Sequence, residues 1–446
     1  MVTRKIEEKI NRWIDKGSSA FLISGARQVG KTYTIRKCLE QRKCNFLEIN
    51  LVETPELIPV LSRCNSVEEL VMNLSLVKQY TFVPGETILF IDEAQQCKEI
   101  VTNIKFWVDE GSYKYILSGS LLGVELRNLR SAPVGYLEEV QMYPLDFEEF
   151  LWASDIKEKS IEDVKGFLNR KEPLPDAMHD TMMQLFRRYL VVGGMPAAVA
   201  EYADSRNLNV VTEIQSAIMN QYKLDFTKYE EENKKLLLQS IYDLIPSQLL
   251  KQNRRFNLAD IKKGLRFERT EDSFLWLESA GVALSAYNAT EPRIALEQNK
   301  KSSLVKLYLS DVGLLTTTYG NAIQLNVLNE LPGSNYGGIY ENAVAQELVA
   351  HGYKLYYYNS TKQGELDFVI EHKGKILPIE VKSGKDYKVH SAISNVVKNQ
   401  EYQIEEAIVF SNYNISTEGK ITYLPVYMCG FIRDDVSLPV LDKIEL

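Results

Sequence analysis

Apolar residues along the 446-residue chain follow two periodicities, and the switches between them mark its elements. Short apolar runs bounded by turn residues predict strands at AFLIS (20–24), NFLEINL (45–51), TILFID (87–92) and YKYILSGS (113–120). Between them, Tyr33 to Glu40 and IVTNIKFWVDEG carry helical spacing, so this part reads as an α/β unit with a parallel sheet. From Pro144 the pattern turns helical: FEEFLWASDI, a charged solvated stretch over 157–177, then MMQLFRRYL and PAAVAEYA on either side of a Gly193-Gly194-Met195-Pro196 turn. Three amphipathic helices are predicted at LLLQSIYDLI, FNLADIKKGL and TEDSFLWLESAGVAL, followed by strands at VALSAYNA and LVKLYLS. Helices followed by two strands describe a winged helix-turn-helix. Last come the helix IYENAVAQELVAHG, the strand KLYYYNS and two apolar runs within TKQGELDFVIEHKGKILPIEVKSGK. Alternation places Glu380 and Lys382 on one face of their strand.

Length implies several domains, and 45% hydrophobic residues suffice to bury their cores. The net charge of −8 argues against a chain built wholly around nucleic acid, while leaving room for a local basic face. Five cysteines without a CxxC pair, together with four histidines, fit reduced thiols in a cytoplasm better than disulfides or structural zinc. The opening residues carry charges every few positions with no signal-peptide core. No apolar run approaches the ~18 residues of a membrane span, so a soluble cytoplasmic protein is expected.

Gly25-Ala26-Arg27-Gln28-Val29-Gly30-Lys31-Thr32 matches G-x-x-x-x-G-K-[ST] between a predicted strand and a predicted helix. Backbone amides of such a loop cradle phosphates, Lys31 reaches the terminal phosphates, and Thr32 holds Mg²⁺. The run ending in Asp92 supplies a second magnesium-directed carboxylate, and Glu93 is placed to orient or deprotonate an attacking water. Ser118 and Ser120 end the next strand, within reach of the γ-phosphate or its water. ATP and Mg²⁺ are therefore the expected cofactors.

The motifs GARQVGKT, FIDEAQ, SGS, MYPLDFEEF and GGMP together resemble the prokaryotic AAA-type ATPases that carry a C-terminal domain of unknown function. The resemblance implies an AAA-type core at 1–143, a helical lid at 144–228, a winged helix at 229–325 and a restriction-nuclease-like α/β domain at 326–446. Many relatives place an arginine after the glycine that precedes the YPLSF strand, whereas this chain has Val134-Gly135-Tyr136. Arg127 or Arg130 is then the candidate for a finger acting in a homo-oligomer, with an ordinary surface role as the alternative.

Two regions bear on a partner. Lys251, Arg254, Arg255, Lys262, Lys263, Arg266 and Arg269 crowd the winged-helix segment, as a phosphate-contacting face requires, yet Glu271 and Asp272 open the presumed recognition helix. DNA contact and packing between domains both remain open there. In the last segment, helix, strand and D…E-x-K arrive in the order of a restriction-nuclease core. Asp367 and Glu380 are candidate metal ligands, Glu341 a third from the helix, and Lys382 an orienting or deprotonating group. The chain thus reads as an ATPase acting on or sensing DNA. The alternatives are an ATP-gated metal-dependent endonuclease and a non-cleaving nucleotide switch that binds a protein partner.

Overall fold

The computed structural model describes residues 2–120, 135–229, 232–331 and 336–434. Five strands, β1 (Ala20–Ser24), β2 (Phe46–Asn50), β3 (Ile88–Asp92), β4 (Lys114–Gly119) and β5 (Leu137–Gln141), form a sheet in the order β2-β3-β4-β1-β5. Every pairing in it is parallel. Successive side chains of a strand face opposite sides, and here both sides are covered. Phe21, Ile23, Phe90 and Ile116 enter one core, while Ala20, Leu22, Leu89, Ile91 and Leu117 enter the other. That explains why β1, β3 and β4 read as nearly continuous apolar runs. Register aligns Asn50 with Asp92 and Ser24 with Gly119, so the carboxyl ends of β1, β3 and β4 meet where open α/β sheets bind ligands.

Helices Phe147–Ala153, Glu158–Arg170, Asp176–Val192, Pro196–Ser205 and Leu208–Tyr229 follow. The Gly193–Gly194 turn has a packing cause. Gly194 O accepts from Leu145 N at 2.7 Å, and a Cβ on Gly194 would lie 2.0 Å from Leu145 O. Gly193, at φ +70°, leaves no room for a Cβ beside the Asp311 carboxylate. Asp311 caps helix Val312–Thr318 through Leu314 N at 3.0 Å and also accepts from Gly194 N at 2.5 Å. Segments some 120 to 170 residues apart are thereby locked through two glycines that tolerate no side chain.

Two of the three helices expected next form, at Glu232–Leu249 and Glu271–Ser279. FNLADIKKGL instead makes one 3₁₀ turn, Leu258–Asp260, capped by Asn257 and followed by a reversal at Gly264 (φ +82°). None of the three residues of that turn is buried, and Leu258 and Ile261 are only half-buried against the core, so little packing supports propagation into a helix. Glu271 and Asp272 sit in the first turn of their helix, where they complement its dipole.

Strands β6 (Ala283–Ala289) and β7 (Lys300–Leu309) are an antiparallel pair, as a wing would be. They do not stand apart. With β8 (Leu355–Ser360), β9 (Gly364–His372), β10 (Lys375–Val381), β11 (Ala407–Ser411), β12 (Ser416–Glu418) and β13 (Ile421–Pro425) they form one eight-stranded sheet. Its order is β12-β13-β11-β10-β9-β8-β6-β7, with β6 parallel to β8 from Ala286/Leu355 to Ala289/Tyr358. Helix Gly337–Ala350 lies against this sheet and is buried from Gly337 through Leu348. One apolar core runs from Ile10 through Phe147 and Tyr189 to Tyr308 and Phe410, joining the units that the sequence separates. Among the described residues no helix is long and apolar enough to cross a membrane.

Candidate nucleotide and acidic sites

The loop between β1 and helix Lys31–Gln41 has the conformation its glycines foretell. Gly25 (φ +141°) and Gly30 (φ +93°) adopt angles disfavoured for other residues, and a Cβ on Gly25 would strike Met142 O at 2.2 Å. Lys31 is buried and folds back on its own loop, donating to Gly25 O at 2.9 Å and Ala26 O at 2.8 Å. Burial lowers its pKa to about 8, against the pull of Glu93 and Asp92. Thr32 Oγ1 donates to Asp92 Oδ2 at 2.9 Å, Asn50 donates to the same oxygen at 3.1 Å, and Ser118 donates to Oδ1. The residues predicted to hold magnesium are thus within hydrogen-bond reach of each other, on hard oxygen atoms suited to that ion. Glu93 follows in the left-handed region at φ +55° and accepts from Gln95. Ser120 is buried and accepts from Arg27 Nε at 3.4 Å.

Partners of this loop lie far along the chain. Arg27 pairs with Asp225 at 3.0 Å, and Tyr222 donates to Arg27 O at 3.1 Å. Trp276, Ala280 and Val282 line a small cleft with Arg27 and Ser120, and a Cβ on Gly281 would lie 2.9 Å from Ala26 N. The helix predicted to read DNA therefore packs its Trp276 side against the phosphate loop. Arg4 adds an anchor, donating to Val29 O at 2.9 Å and Tyr143 O at 2.7 Å while pairing with Glu149 at 3.1 Å. Glu149 of DFEEF thus holds the arginine that holds the loop. Arg127 and Arg130 lie outside the described residues.

A second site opens at the larger sheet. Glu341, Asp367, Glu380 and Lys382 line one cavity of about 640 Å³. Asp367 Oδ2 accepts from Val381 N at 2.8 Å, fixing it beside β10. Glu380 Oε1 pairs with Lys382 at 2.5 Å, while its Oε2 is buried without a hydrogen bond. Burial first, then Asp367, pushes Glu380 up to about 7 and Glu341 up to about 8. A buried carboxylate oxygen without a donor, beside another acid, is a donor set that suits a divalent cation.

Sequence reasoning missed the counter-charges. Arg254 forms an ion pair with Glu341, and Lys306 on β7 pairs with Glu365 Oε1 at 2.6 Å while lying over the Tyr357 ring. A lysine within the apolar run LVKLYLS was the visible signal, because a fully buried ammonium needs an acidic neighbour. Among the described residues the three ligands lying within 4.8 Å of one another are Asp146, Glu347 and His351, not the predicted trio. The trio shares a cavity without forming one ligand shell. The Asp146 group is already neutralised: Lys5 stands 2.6 Å and Arg433 3.5 Å from Asp146 Oδ2. Arg433 donates to His351 Nδ1, which leaves Nε2–H to donate to Asp146 at 3.3 Å, and burial lowers His351 to about 4. This arrangement is an ion-pair junction between the first residues, the DFEEF helix and the end of the buried helix Gly337–Ala350.

Residues 17–151 match the family described as AAA domain. Residues 183–324 and 336–428 match two families described as domains of unknown function, DUF8612 and DUF4143. No curated protein matches the chain at a significant level. Among solved structures, the Walker-type ATPase of Pyrococcus abyssi is similar at 15% identity, covering 72% of this chain and 96% of that one, with a TM-score of 0.44. The Aeropyrum pernix Orc1 protein in complex with DNA aligns at 15% identity over 74% of this chain and 94% of its own, with a TM-score of 0.33. The Hsp104–ADP complex of S. cerevisiae aligns at 14% identity over 63% and 38%, with a TM-score of 0.29. The parallel sheet and its phosphate loop make the N-terminal unit an α/β P-loop fold, and the residues that match the AAA domain model lie within it.

Proposed function

We propose that the protein binds and hydrolyses ATP with Mg²⁺ and acts on or senses DNA through its C-terminal part. The observation that carries the ATPase reading is the hydrogen-bonded set Thr32–Asp92–Ser118 at the mouth of the phosphate loop. Lys31 would leave its two loop carbonyls for the nucleotide phosphates, and Thr32 and Asp92 would hold the ion. Bound Mg²⁺ supplies charge neutralisation for phosphoryl transfer. Glu93 would orient the water, and Ser120, held by Arg27, would report on the terminal phosphate. Because Arg27 also pairs with Asp225, a ligand at this loop would bear directly on the helices that lead to the larger sheet. The test is nucleotide affinity by calorimetry together with phosphate release. Lys31→Ala should lose tight ATP binding, Glu93→Gln should keep it and lose turnover, and a Lys31→Ala protein with wild-type affinity ends the assignment.

A second reading, metal-dependent action on DNA phosphodiesters, is favoured by the convergence of Glu341, Asp367, Glu380 and Lys382 on one cavity. Asp367 and Glu380 would hold the ion, and Lys382 would orient a water. Exposed Arg255, Lys262, Lys263, Arg266 and Arg269 offer phosphate contacts on the segment that precedes the sheet. Incubating the protein with DNA substrates and Mg²⁺ or Mn²⁺, with and without ATP, separates cleavage from a nucleotide switch that holds DNA or a protein partner without cutting.

A further inference from the structure

The acidic cavity is built from more of the chain than the D…E-x-K motif. Gln252, Asn253 and Arg254, from the segment that leaves helix Glu232–Leu249, form part of its wall opposite β9 and β10. The Arg254 side chain is about four-fifths buried, its Nε donates to Leu249 O at 3.2 Å, and its Nη1 meets Glu341, which is 1% exposed. Glu341 also accepts from Tyr308 at 3.3 Å. Across the same cavity Glu380 Oε2 stays without a donor. The positive charge in this pocket is thus shared unevenly: Arg254 serves Glu341, Lys306 serves Glu365, Lys382 serves one oxygen of Glu380, and the other oxygen is left over.

We propose that Arg254 is a two-position residue: it neutralises Glu341 when no metal is bound, and on entry of a divalent cation it is released toward the cavity mouth to bind a nucleic-acid phosphate. This rests on the reading of the cavity as a metal-dependent DNA site. The physical ground is competition. A divalent ion held by Asp367 and Glu380 would stand in the same cavity as Glu341, the carboxylate that the guanidinium neutralises, and two cations side by side in a poorly solvated pocket repel strongly. A planar fork of donors is also well matched to phosphate, so the displaced group has a ready partner only when DNA is present. Metal and DNA would then bind cooperatively through one side chain, and metal-free protein would keep its acidic residues paired.

The test is calorimetric titration of the full chain with Mn²⁺ alone, counting only the heat that Glu380→Gln removes. Arg254→Gln should bind Mn²⁺ about tenfold more tightly than wild type, because a competing charge is gone. Arg254→Lys, which keeps a charge and so protects the fold, should tighten binding by less, since a point charge lacks the fork. Unchanged or weaker Mn²⁺ binding in both variants, with Glu380-dependent heat present in wild type, overturns the role of Arg254 and leaves the metal site standing. No Glu380-dependent heat in any of the proteins removes the metal reading and this proposal with it. The second arm uses a short labelled DNA duplex. With Mn²⁺ present, Arg254→Gln should lower the slope of log affinity against log salt by about one phosphate contact, and without Mn²⁺ the two slopes should coincide. Equal slopes in the presence of Mn²⁺ overturn the phosphate-binding half.

Discussion

The phosphate loop and the acidic cavity both set a lysine against carboxylates at strand ends, yet they are built in opposite ways. At the loop, Gly25 to Thr32 are contiguous, and the lysine satisfies itself on carbonyls of its own segment. In the cavity, Lys382 meets nearby Glu380, while two further cations answer acids from distant parts of the chain: Arg254 to Glu341 and Lys306 to Glu365. A contiguous site keeps its local geometry wherever the segment folds, because backbone angles define it. An assembled site exists only while two sheet strands, a buried helix and a loop remain in register. Ligand entry should therefore disturb mainly side chains at the first site and relations between segments at the second.

The largest effect that tests this contrast is a separation of activities. Glu93→Gln should cut ATP turnover by about 10²-fold or more, while Lys382→Ala leaves it within about twofold, measured as steady-state phosphate release. If Lys382→Ala were as damaging, the two sites would be one machine and the contrast would collapse. Next in size is Gly194→Ala. Its new Cβ would collide with the Leu145 backbone. We expect a loss of about 3 kcal/mol or more in chemical denaturation, and weaker ligand binding at both sites, since the lock between Leu145, Gly194 and Asp311 holds their supporting elements together.

Smaller effects come from charge. Burial lowers Lys31 from 10.5 to about 8, so over that interval the unfolded chain binds more protons than the folded one, and stability rises with pH. Lys31→Met should therefore stabilise the ligand-free protein by about 1 to 3 kcal/mol below pH ~8, and the advantage should fade as pH approaches ~10.5. A constant advantage across that range in paired thermal melts would contradict the buried-ammonium explanation. Smallest of all, changing exposed Lys262, Lys263 and Arg266 together to serine should leave folding and ATP turnover unaltered and flatten the salt dependence of DNA binding by about two to three contacts.

Some of the molecule was legible in order along the chain. The apolar runs at β1, β3 and β4 are strands, Gly25 and Gly30 take up positive φ, and Thr32 meets Asp92, because backbone conformation and a short motif carry that information locally. The helix expected at FNLADIKKGL failed for a reason that local spacing does not contain, namely that its Leu258 and Ile261 are only half-buried against the core. Likewise, the two predicted strands pair antiparallel, but only the long-range pairing of β6 with β8 makes them part of the larger sheet.

By itself the sequence determined the glycine-rich loop, the acid that ends β3 and the candidate acids of the last segment, since each rests on residue type at fixed spacing. Only the tertiary structure decided which charges those acids meet. Arg254 looked like one of seven surface cations, and Lys306 like an interruption in a strand. Their places beside Glu341 and Glu365 follow from burial, which makes an unpaired charge costly and so selects partners across long stretches of chain. The same holds for Gly194 and Asp311: a glycine pair announces a turn, but the backbone oxygen that forbids any side chain there belongs to a residue 49 positions earlier.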